Sequence, residues 1–213
     1  MEAMMQDGQA LQAGTSHNLG QHFAKVFDIK FLDKDGVQKY VHQTSWGVST
    51  RLIGGLIMVH SDDRGLVLPP RVAPIEAVVL PIAMHKEGVV EGAQKIVDEL
   101  KAAGVRTEFD TRDQSAGWKF NEWEMKGVPV RLEVGPRDLE AGQVTIVRRD
   151  TLEKSTLPID GIAESIRQLL DQIQRDLLEK ARAMRDSKIF PAENMDELRD
   201  AVENKHGFAT TMW

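Results

Sequence analysis

The sequence contains no cysteine, no excess of basic residues and no long apolar run. Without cysteine the protein cannot form disulfide bonds or thiolate metal sites, which is compatible with a reducing cytoplasm. No apolar stretch approaches the length of a membrane-spanning helix, and the first ten residues lack the basic start and apolar core of a signal peptide. These absences predict a cytoplasmic protein without a membrane partner.

The overall charge is also uninformative about a partner. The 213 residues carry 27 Lys and Arg against 33 Asp and Glu, which gives a net charge of −6. Any binding of nucleic acid therefore has to be local. The six histidines are scattered without metal-ligand spacing, and neither a G-x-S-x-G elbow nor a P-loop occurs. Candidate functional residues have to be sought in isolated polar clusters.

The N-terminal part of the chain predicts a hairpin followed by a helix. Residues 26–31 alternate apolar and polar side chains, a turn signal follows at 33–36, and a second strand is expected at about 37–45. Ser49 or Thr50 can cap the next helix. Because that helix is apolar on nearly every face, we expect it to be buried.

From residue 74 onward, strand and helix patterns alternate. This order favours a layered α/β domain with a largely parallel sheet. Strands are predicted there at 75–82, 105–110, 128–134, 143–148 and 154–157, and helices at 89–103, 118–125, 162–184 and 195–204. A short strand is also predicted before this region, at 66–68.

Arg51 is the most informative residue of the N-terminal part. It falls in the first turn of the predicted helix beside Leu52 and Ile53, so its guanidinium needs an anionic partner near apolar neighbours. The free N–H groups of a helix N-terminus attract negative charge to the same place. Together these features suit a phosphate, although a structural salt bridge to a carboxylate explains the same pattern.

A second polar cluster precedes Arg51 and contains Gln12, Thr15 and His17. On a strand Thr15 and His17 share a face, and Gln12 joins them if a bulge intervenes. A hydroxyl, an amide and an imidazole in one cavity can bind a small polar ligand. An exposed strand with one surface histidine is the simpler account of these residues.

A third cluster lies in residues 110–126. Trp118 and Trp123 beside Arg112 and Lys119 could stack on unpaired bases and hydrogen-bond to them, as single-stranded RNA is usually read. Core packing of one tryptophan and a solvated charged face is the simpler account, because nearby acidic residues leave no basic stripe. Strand ends are nevertheless where an α/β sheet usually binds its ligand.

Four stretches of the sequence resemble prolyl-tRNA synthetase, a class II aminoacyl-tRNA synthetase, of the type also found in archaea and eukaryotes. They are Ala10–Gln21 (ALQAGTSHNLGQ), Thr44–Gly54 (TSWGVSTRLIG), His60–Pro74 (HSDDRGLVLPPRVAP) and Trp118–Asp138. The resemblance covers essentially the whole chain, and the first three stretches are specific to this synthetase. It favours the ligand-binding interpretation of the clusters over the structural one.

The resemblance implies an α/β fold in two parts. The first is the C-terminal part of a class II synthetase antiparallel-sheet catalytic domain with its third signature motif, expected at residues 1–70. An α/β anticodon-binding domain with a five-stranded mixed sheet follows at 71–175. Residues 176–213 would form a linker helix and the start of a C-terminal domain.

The resemblance also implies ligands for the first two clusters. Arg51 matches the motif 3 arginine that holds the γ-phosphate of ATP, and Ser49 lines the same site. Gln12 and Thr15 match residues that contact ATP, and Gln12 also lies near the ATP-bound Mg²⁺. Three further residues are implied in the proline pocket: His17, Trp46 and Gly47.

The reaction implied is activation of proline by ATP to prolyl-adenylate, followed by transfer of proline to proline tRNA. The parent enzyme would be a homodimer whose anticodon-binding domain reads two guanines. Arginine pairs with guanine O6 and N7, and glutamate accepts from guanine N1 and N2. Four candidates follow from this chemistry: Arg112, Lys119, Glu122 and Arg131.

The sequence departs from the family at both ends. Motifs 1 and 2, which normally lie upstream, are absent from it, as are the zinc-binding cysteines that often follow this region. We therefore expect the chain to be an inactive fragment that does not form prolyl-adenylate by itself. The alternative is a non-catalytic RNA-binding or regulatory module derived from the anticodon-binding domain.

Overall fold

The chain divides into two compact units in the computed structural model, which describes residues 1–212. The first unit combines residues 1–58 with residues 188–212, so it is built from two separate stretches of chain. The second unit is the continuous segment 59–187. The limits predicted from the sequence, at residues 70 and 175, differ from these, and the assignment of the domains stays a prediction.

The N-terminal stretch of the first unit contains three antiparallel strand pairs. Its elements are β1 (Glu2–Met4), β2 (Ala10–Gln12), β3 (Thr15–Gly20), α1 (His22–Val26), β4 (Lys30–Leu32), β5 (Gln38–Tyr40), β6 (Gln43–Gly47) and all but the last two residues of α2 (Arg51–His60). Strand β1 pairs with β2, β3 with β6, and β4 with β5. The predicted turn at residues 33–36 joins β4 to β5.

Two strand predictions for this stretch are wrong. Residues 26–31 do not form one strand, because the chain is helical up to Val26, with Ala24 fully buried and Phe23 stacked on Phe27 at 6.4 Å. The second strand, predicted at 37–45, is two strands. It divides because β5 pairs with β4 whereas β6 pairs with β3.

Helix α2 begins where the sequence predicts it. The Ser49 hydroxyl accepts a hydrogen bond from the Arg51 amide at 3.3 Å. The prediction that this helix is buried is wrong, because Gly55 is its one buried residue and Ile53 is exposed. A helix that is apolar on every face is usually packed on every side. Among the described residues, α2 packs mainly where Gly55 approaches Leu11.

The second unit is an α/β structure built on a mixed five-stranded sheet. Its elements are β7 (Ala77–Pro81), α3 (Val89–Ala102), β8 (Thr107–Phe109), α4 (Ala116–Met125), β9 (Val130–Val134), α5 (Pro136–Glu140), β10 (Gln143–Arg148), β11 (Lys154–Pro158) and α6 (Ile162–Ser187). The strand order is β11-β10-β9-β7-β8, with β7 parallel to β8 and β9 and with β10 antiparallel to β9 and β11. This confirms the predicted fold class. The short strand expected at 66–68 is absent, since Leu66 donates its N–H to the carbonyl of Met125 outside any sheet.

Apolar residues of β7 alternate between two cores. Ala77 and Val79 face a large core that α3 and α6 cover, whereas Val78 and Leu80 face a smaller one with Trp123 of α4. The helices bury residues at three- and four-residue spacing, as their sequences predict. These residues are Val89, Ala93, Ile96, Val97 and Leu100 in α3 and Ile162, Ile166, Leu170, Ile173 and Leu177 in α6. Helices on both faces give the sheet a three-layered arrangement.

The second stretch of the first unit contains a parallel pair of strands joined by a helix. These elements are β12 (Ile189–Pro191), α7 (Met195–Glu203) and β13 (Phe208–Thr210). The side chain of Asn194 caps α7 by accepting from the amides of Asp196 and Glu197. Across residues 1–212, every helix is too short or too polar to cross a lipid bilayer.

Candidate functional site

A cleft of about 290 Å³ opens in the first unit at the start of α2. The register of β3 and β6 sets Thr15 opposite Gly47, and the chain then leads through residues 48–50 into the helix. Five of the residues singled out in the sequence line this cleft: Gln12, Thr15, Gly47, Ser49 and Arg51. The fold therefore brings the predicted nucleotide contacts together.

Arg51 is exposed at this cleft. Its Nη1 donates to Oε1 of Gln12 at 3.4 Å, and no carboxylate within residues 1–212 forms an ion pair with it. The structural salt bridge that the sequence leaves open is thus absent from the described part of the chain. An exposed cation in the first turn of a ten-residue helix suits an anionic ligand, because the helix N–H groups attract the same charge.

His17 and Trp46, predicted for a proline pocket, lie outside the lining of this cleft. His17 is opposite Ser45, and Trp46 is opposite Ser16 and largely exposed. Side chains alternate along a strand, so His17 shares the face of Thr15 whereas Trp46 lies on the other face. The proline pocket stays a prediction.

The cleft offers one side-chain amide oxygen, from Gln12, to a metal ion. Within residues 1–212 no three His, Asp or Glu side chains are grouped so that they could hold a metal. Mg²⁺ keeps several waters and often binds through one or two protein oxygens together with substrate phosphates. The residues present therefore fit a magnesium ion that arrives with a nucleotide better than one held by the protein alone.

The second unit carries a polar cluster at the carboxyl end of β8. We call it the Arg112 cluster, and it consists of Asp110, Arg112, Trp118, Glu122 and Trp123. Nε and Nη2 of Arg112 donate to the two oxygens of Asp110 at 3.0 and 2.7 Å. Nη1 and Nη2 donate to the two oxygens of Glu122 at 3.3 and 2.6 Å. The guanidinium is held between two carboxylates.

Asp110 is the buried centre of this cluster. Nε1 of Trp123 donates to its Oδ2 at 2.8 Å, and Nζ of Lys119 donates to its backbone carbonyl at 3.1 Å. Burial opposes ionisation of Asp110, but the hydrogen bonds from Arg112 and Trp123 outweigh it and hold its pKa below the usual range. Hydrogen bonding to Arg112 also lowers the pKa of Glu122. Both carboxylates are therefore charged at neutral pH.

The four residues predicted to read the anticodon differ in accessibility. Their side chains are exposed by 45% in Arg112, 16% in Glu122, 11% in Arg131 and 4% in Lys119. Arg131 lies on β9 and forms ion pairs with Glu124 and Glu133. Lys119 points toward Asp110. Base reading by these four residues stays a prediction.

A cleft of about 420 Å³ lies at the carboxyl end of β7. Residues 80–85 form one side of it, and Asp113, Gln114 and Lys119 contribute to the other. The roles of Asp110 and Glu124 are missed by the sequence reasoning. One sequence signal could have indicated the role of Asp110. This residue directly follows a strand and lies two residues before Arg112, with which it can pair.

Comparison with known proteins shows which proteins the chain is similar to. Residues 76–169 match the family described as "Anticodon binding domain". The chain is 59% identical over 214 residues to Proline-tRNA ligase 2 of Clostridioides difficile (strain 630), and 56% identical over 213 residues to the proline-tRNA ligase of Lachnospira eligens. Each alignment covers all of this chain and 44% of the relative. The chain is related to the proline-tRNA ligases.

This relationship to the proline-tRNA ligases confirms the resemblance found in the four sequence stretches. The match to the anticodon binding domain covers β7 to β11, and the Arg112 cluster lies inside it. The cleft at Arg51 lies outside that match but inside the alignment with the ligases. The chain spans less than half the length of these two curated relatives.

Proposed function

We propose that the chain is part of a proline-tRNA ligase that activates proline with ATP and transfers it to proline tRNA in the cytoplasm. The observation that carries this proposal is the 59% identity to Proline-tRNA ligase 2 of Clostridioides difficile across the whole chain. The cleft at Arg51 and the Arg112 cluster both lie within that alignment. The chain would thus contribute to a nucleotide site and to an RNA site.

In the nucleotide site, Arg51 neutralises the γ-phosphate of ATP. Ser49 accepts from the Arg51 amide and fixes the start of α2, while Gln12 accepts from the guanidinium and limits its rotation. Thr15 adds a hydroxyl to the same cleft. A magnesium ion bound with ATP supplies further charge neutralisation. Attack of the proline carboxylate on the α-phosphorus forms prolyl-adenylate and releases pyrophosphate. This step depends on positioning and charge, for which no acid–base pair is required.

The proline and RNA sites complete the proposal. His17, Trp46 and Gly47 are the residues proposed for proline, and Gly47 is supported by its place in the cleft lining. The anticodon-reading residues proposed are Arg112, Lys119, Glu122 and Arg131, all within the anticodon binding domain. We also propose that the parent enzyme is a homodimer.

A chimeric enzyme tests the ligase proposal directly. Residues 1–213 would replace the aligned segment of Proline-tRNA ligase 2 of Clostridioides difficile, and proline-dependent exchange of pyrophosphate into ATP would be measured. We expect activity within about tenfold of the parent ligase, since the replaced segment is 59% identical. A folded chimera without exchange activity would contradict the proposal.

Variants of Arg51 test the residue assignment in the same chimera. We expect Arg51→Ala to lower kcat/KM for ATP by roughly 100-fold, the size of effect typical for a lost charge-stabilising contact. Arg51→Lys should recover part of this loss. Arg199→Ala is the matched control, because Arg199 is an exposed arginine of α7 in the same unit. An equal loss in the two alanine variants would refute the role of Arg51.

The match of residues 76–169 to the anticodon binding domain also fits a second function, that of a non-catalytic RNA-binding module. Such a module binds proline tRNA through the Arg112 cluster but makes no use of the cleft at Arg51. The chimera separates the two functions. An inactive but correctly folded chimera that still binds proline tRNA favours the module.

A further inference from the structure

The two tryptophans of α4 occupy different environments. Trp123 is 6% exposed and donates its indole N–H to Asp110, so it belongs to the core. Trp118 is 46% exposed, and within residues 59–187 it is the one aromatic side chain among the large exposed apolar residues. Ser115 accepts a hydrogen bond from the Trp118 amide and fixes this residue in the first turn of the helix.

The exposed ring of Trp118 lies next to a fixed cation. The guanidinium carbon of Arg112 is 5.2 Å from the Trp118 ring centroid and 5.8 Å from that of Trp123. Asp110 receives two hydrogen bonds from this guanidinium and is itself buried. The buried carboxylate therefore determines where the Arg112 plane stands relative to the Trp118 ring.

The hydrogen-bonding edge of Arg112 is largely occupied. Within residues 1–212, four of its five N–H groups donate to Asp110 and Glu122, which leaves one N–H without a partner there. A bidentate contact to the edge of a base needs two. While both carboxylates are bound, the surface that the cluster offers to a base is the open part of the Trp118 ring, reinforced by the positive charge beside it.

We propose that Trp118 is a stacking platform for one unpaired base of the tRNA, and that Asp110 is the positioning residue that holds Arg112 against it. Stacking on an aromatic ring requires a base that is out of a duplex, so the base belongs to a single-stranded loop. The proposal rests on the proposed function, in which that loop is the anticodon loop.

Binding of a short RNA tests the platform. The full chain would be titrated with a hairpin that carries the proline anticodon loop, at one fixed salt concentration because phosphate contacts depend on salt. We expect Trp118→Ala to weaken binding by about 5-fold to about 150-fold and Trp118→Phe to keep most of it. Leu178→Ala, which removes an exposed apolar side chain in the same unit, should change binding less than about 2-fold.

A double-mutant cycle tests the positioning role of Asp110. In the Asp110→Asn background, Trp118→Ala should weaken RNA binding clearly less than it does in the parent chain, since the platform is already displaced. Asp110→Glu should restore part of the coupling. An additive cycle among folded variants would show that Asp110 is merely structural and would overturn that role. If Asp110→Asn does not fold, Asp110→Glu serves as the second background. The effect of Trp118→Ala on RNA binding is then compared between Asp110→Glu and the parent chain.

Two outcomes separate this inference from the proposed function. A control hairpin has both anticodon guanines replaced. If the chain binds the control hairpin as tightly as the original hairpin, the proposed anticodon reading fails. If binding depends on the guanines but Trp118→Ala leaves it unchanged, the platform fails and the proposed function stands.

Discussion

Replacement of Asp62 by asparagine is expected to weaken the second unit at neutral pH and to have little effect in acid. Asp62 accepts from both terminal nitrogens of Arg149, at 2.8 and 2.6 Å. The side chain of Arg149 is 2% exposed, and its Nε also donates to the carbonyl of Glu124 at 2.8 Å. A guanidinium buried to this extent depends on its counter-charge.

The size of the effect follows from the pKa of Asp62. Hydrogen bonds from Arg149 lower this pKa from 3.8 to about 2. Taken at face value, the difference corresponds to at most ~2.5 kcal/mol of stability. Because the side chain of Asp62 is 44% exposed, water screens the pair, and we expect ~1 kcal/mol.

The sign of the pH dependence is fixed by the direction of this shift. Folding lowers the pKa of Asp62, so its carboxylate stabilises the folded state fully above the pKa of the unfolded chain, near 3.8. That stability is lost as the pH falls through the folded-state pKa of about 2. The difference between the parent chain and Asp62→Asn should therefore shrink across this interval.

Urea unfolding at neutral pH and at successively lower pH measures this difference, with tryptophan emission as the signal because Trp123 is buried in the second unit. Asp63→Asn is the matched control, since Asp63 is the exposed neighbouring residue and lies outside the ion pair with Arg149. A loss of stability that is the same at every pH, or the same in both variants, would refute the reasoning.

Two further predictions concern packing in the second unit, and urea unfolding of each variant checks both. At Gly127 (φ +72°) a Cβ would lie 2.6 Å from Cβ of Leu66, so Gly127→Ala should cost ~3 kcal/mol or more, whereas Gly104→Ala (φ +82°, no neighbour within 4 Å) should cost only ~1 kcal/mol. Equal losses would rule out the clash. Leu100→Ala leaves a cavity at a fully buried position and should lower the free energy of unfolding by ~2–5 kcal/mol. The control Leu178→Ala removes an exposed side chain and should lower it by less than ~0.5 kcal/mol. Similar losses in the two variants would contradict the assigned core.

Elements with strong periodicity could be predicted from the sequence. The apolar run at residues 75–82 and the spacing of Ile96, Val97 and Leu100 locate β7 and α3 to within a few residues. These patterns are reliable because burial on defined faces imposes them directly. Short elements such as α1, β12 and β13 carry no comparable pattern, since three to five residues do not complete a period, and their pairing depends on distant chain.

The same distinction applies to the candidate sites. A helix start with an arginine in its first turn is a local feature. The sequence could therefore indicate an anion-binding position at Arg51. The Arg112 cluster is not local, because Asp110 meets Trp123 only when α4 folds back onto the end of β8. Burial of Lys119 and Arg131 likewise depends on tertiary contacts, which the sequence pattern does not reveal.

The discontinuous first unit has a consequence for synthesis of the chain on the ribosome. Strands β12 and β13 follow the whole of residues 59–187, so the first unit stays incomplete until the second has been translated. The second unit is continuous and has its own core, and it can fold as it emerges. During that interval the N-terminal stretch lacks the segment that approaches Gly8, to which Lys188 and His206 belong. We therefore expect the first unit to complete its folding after the second.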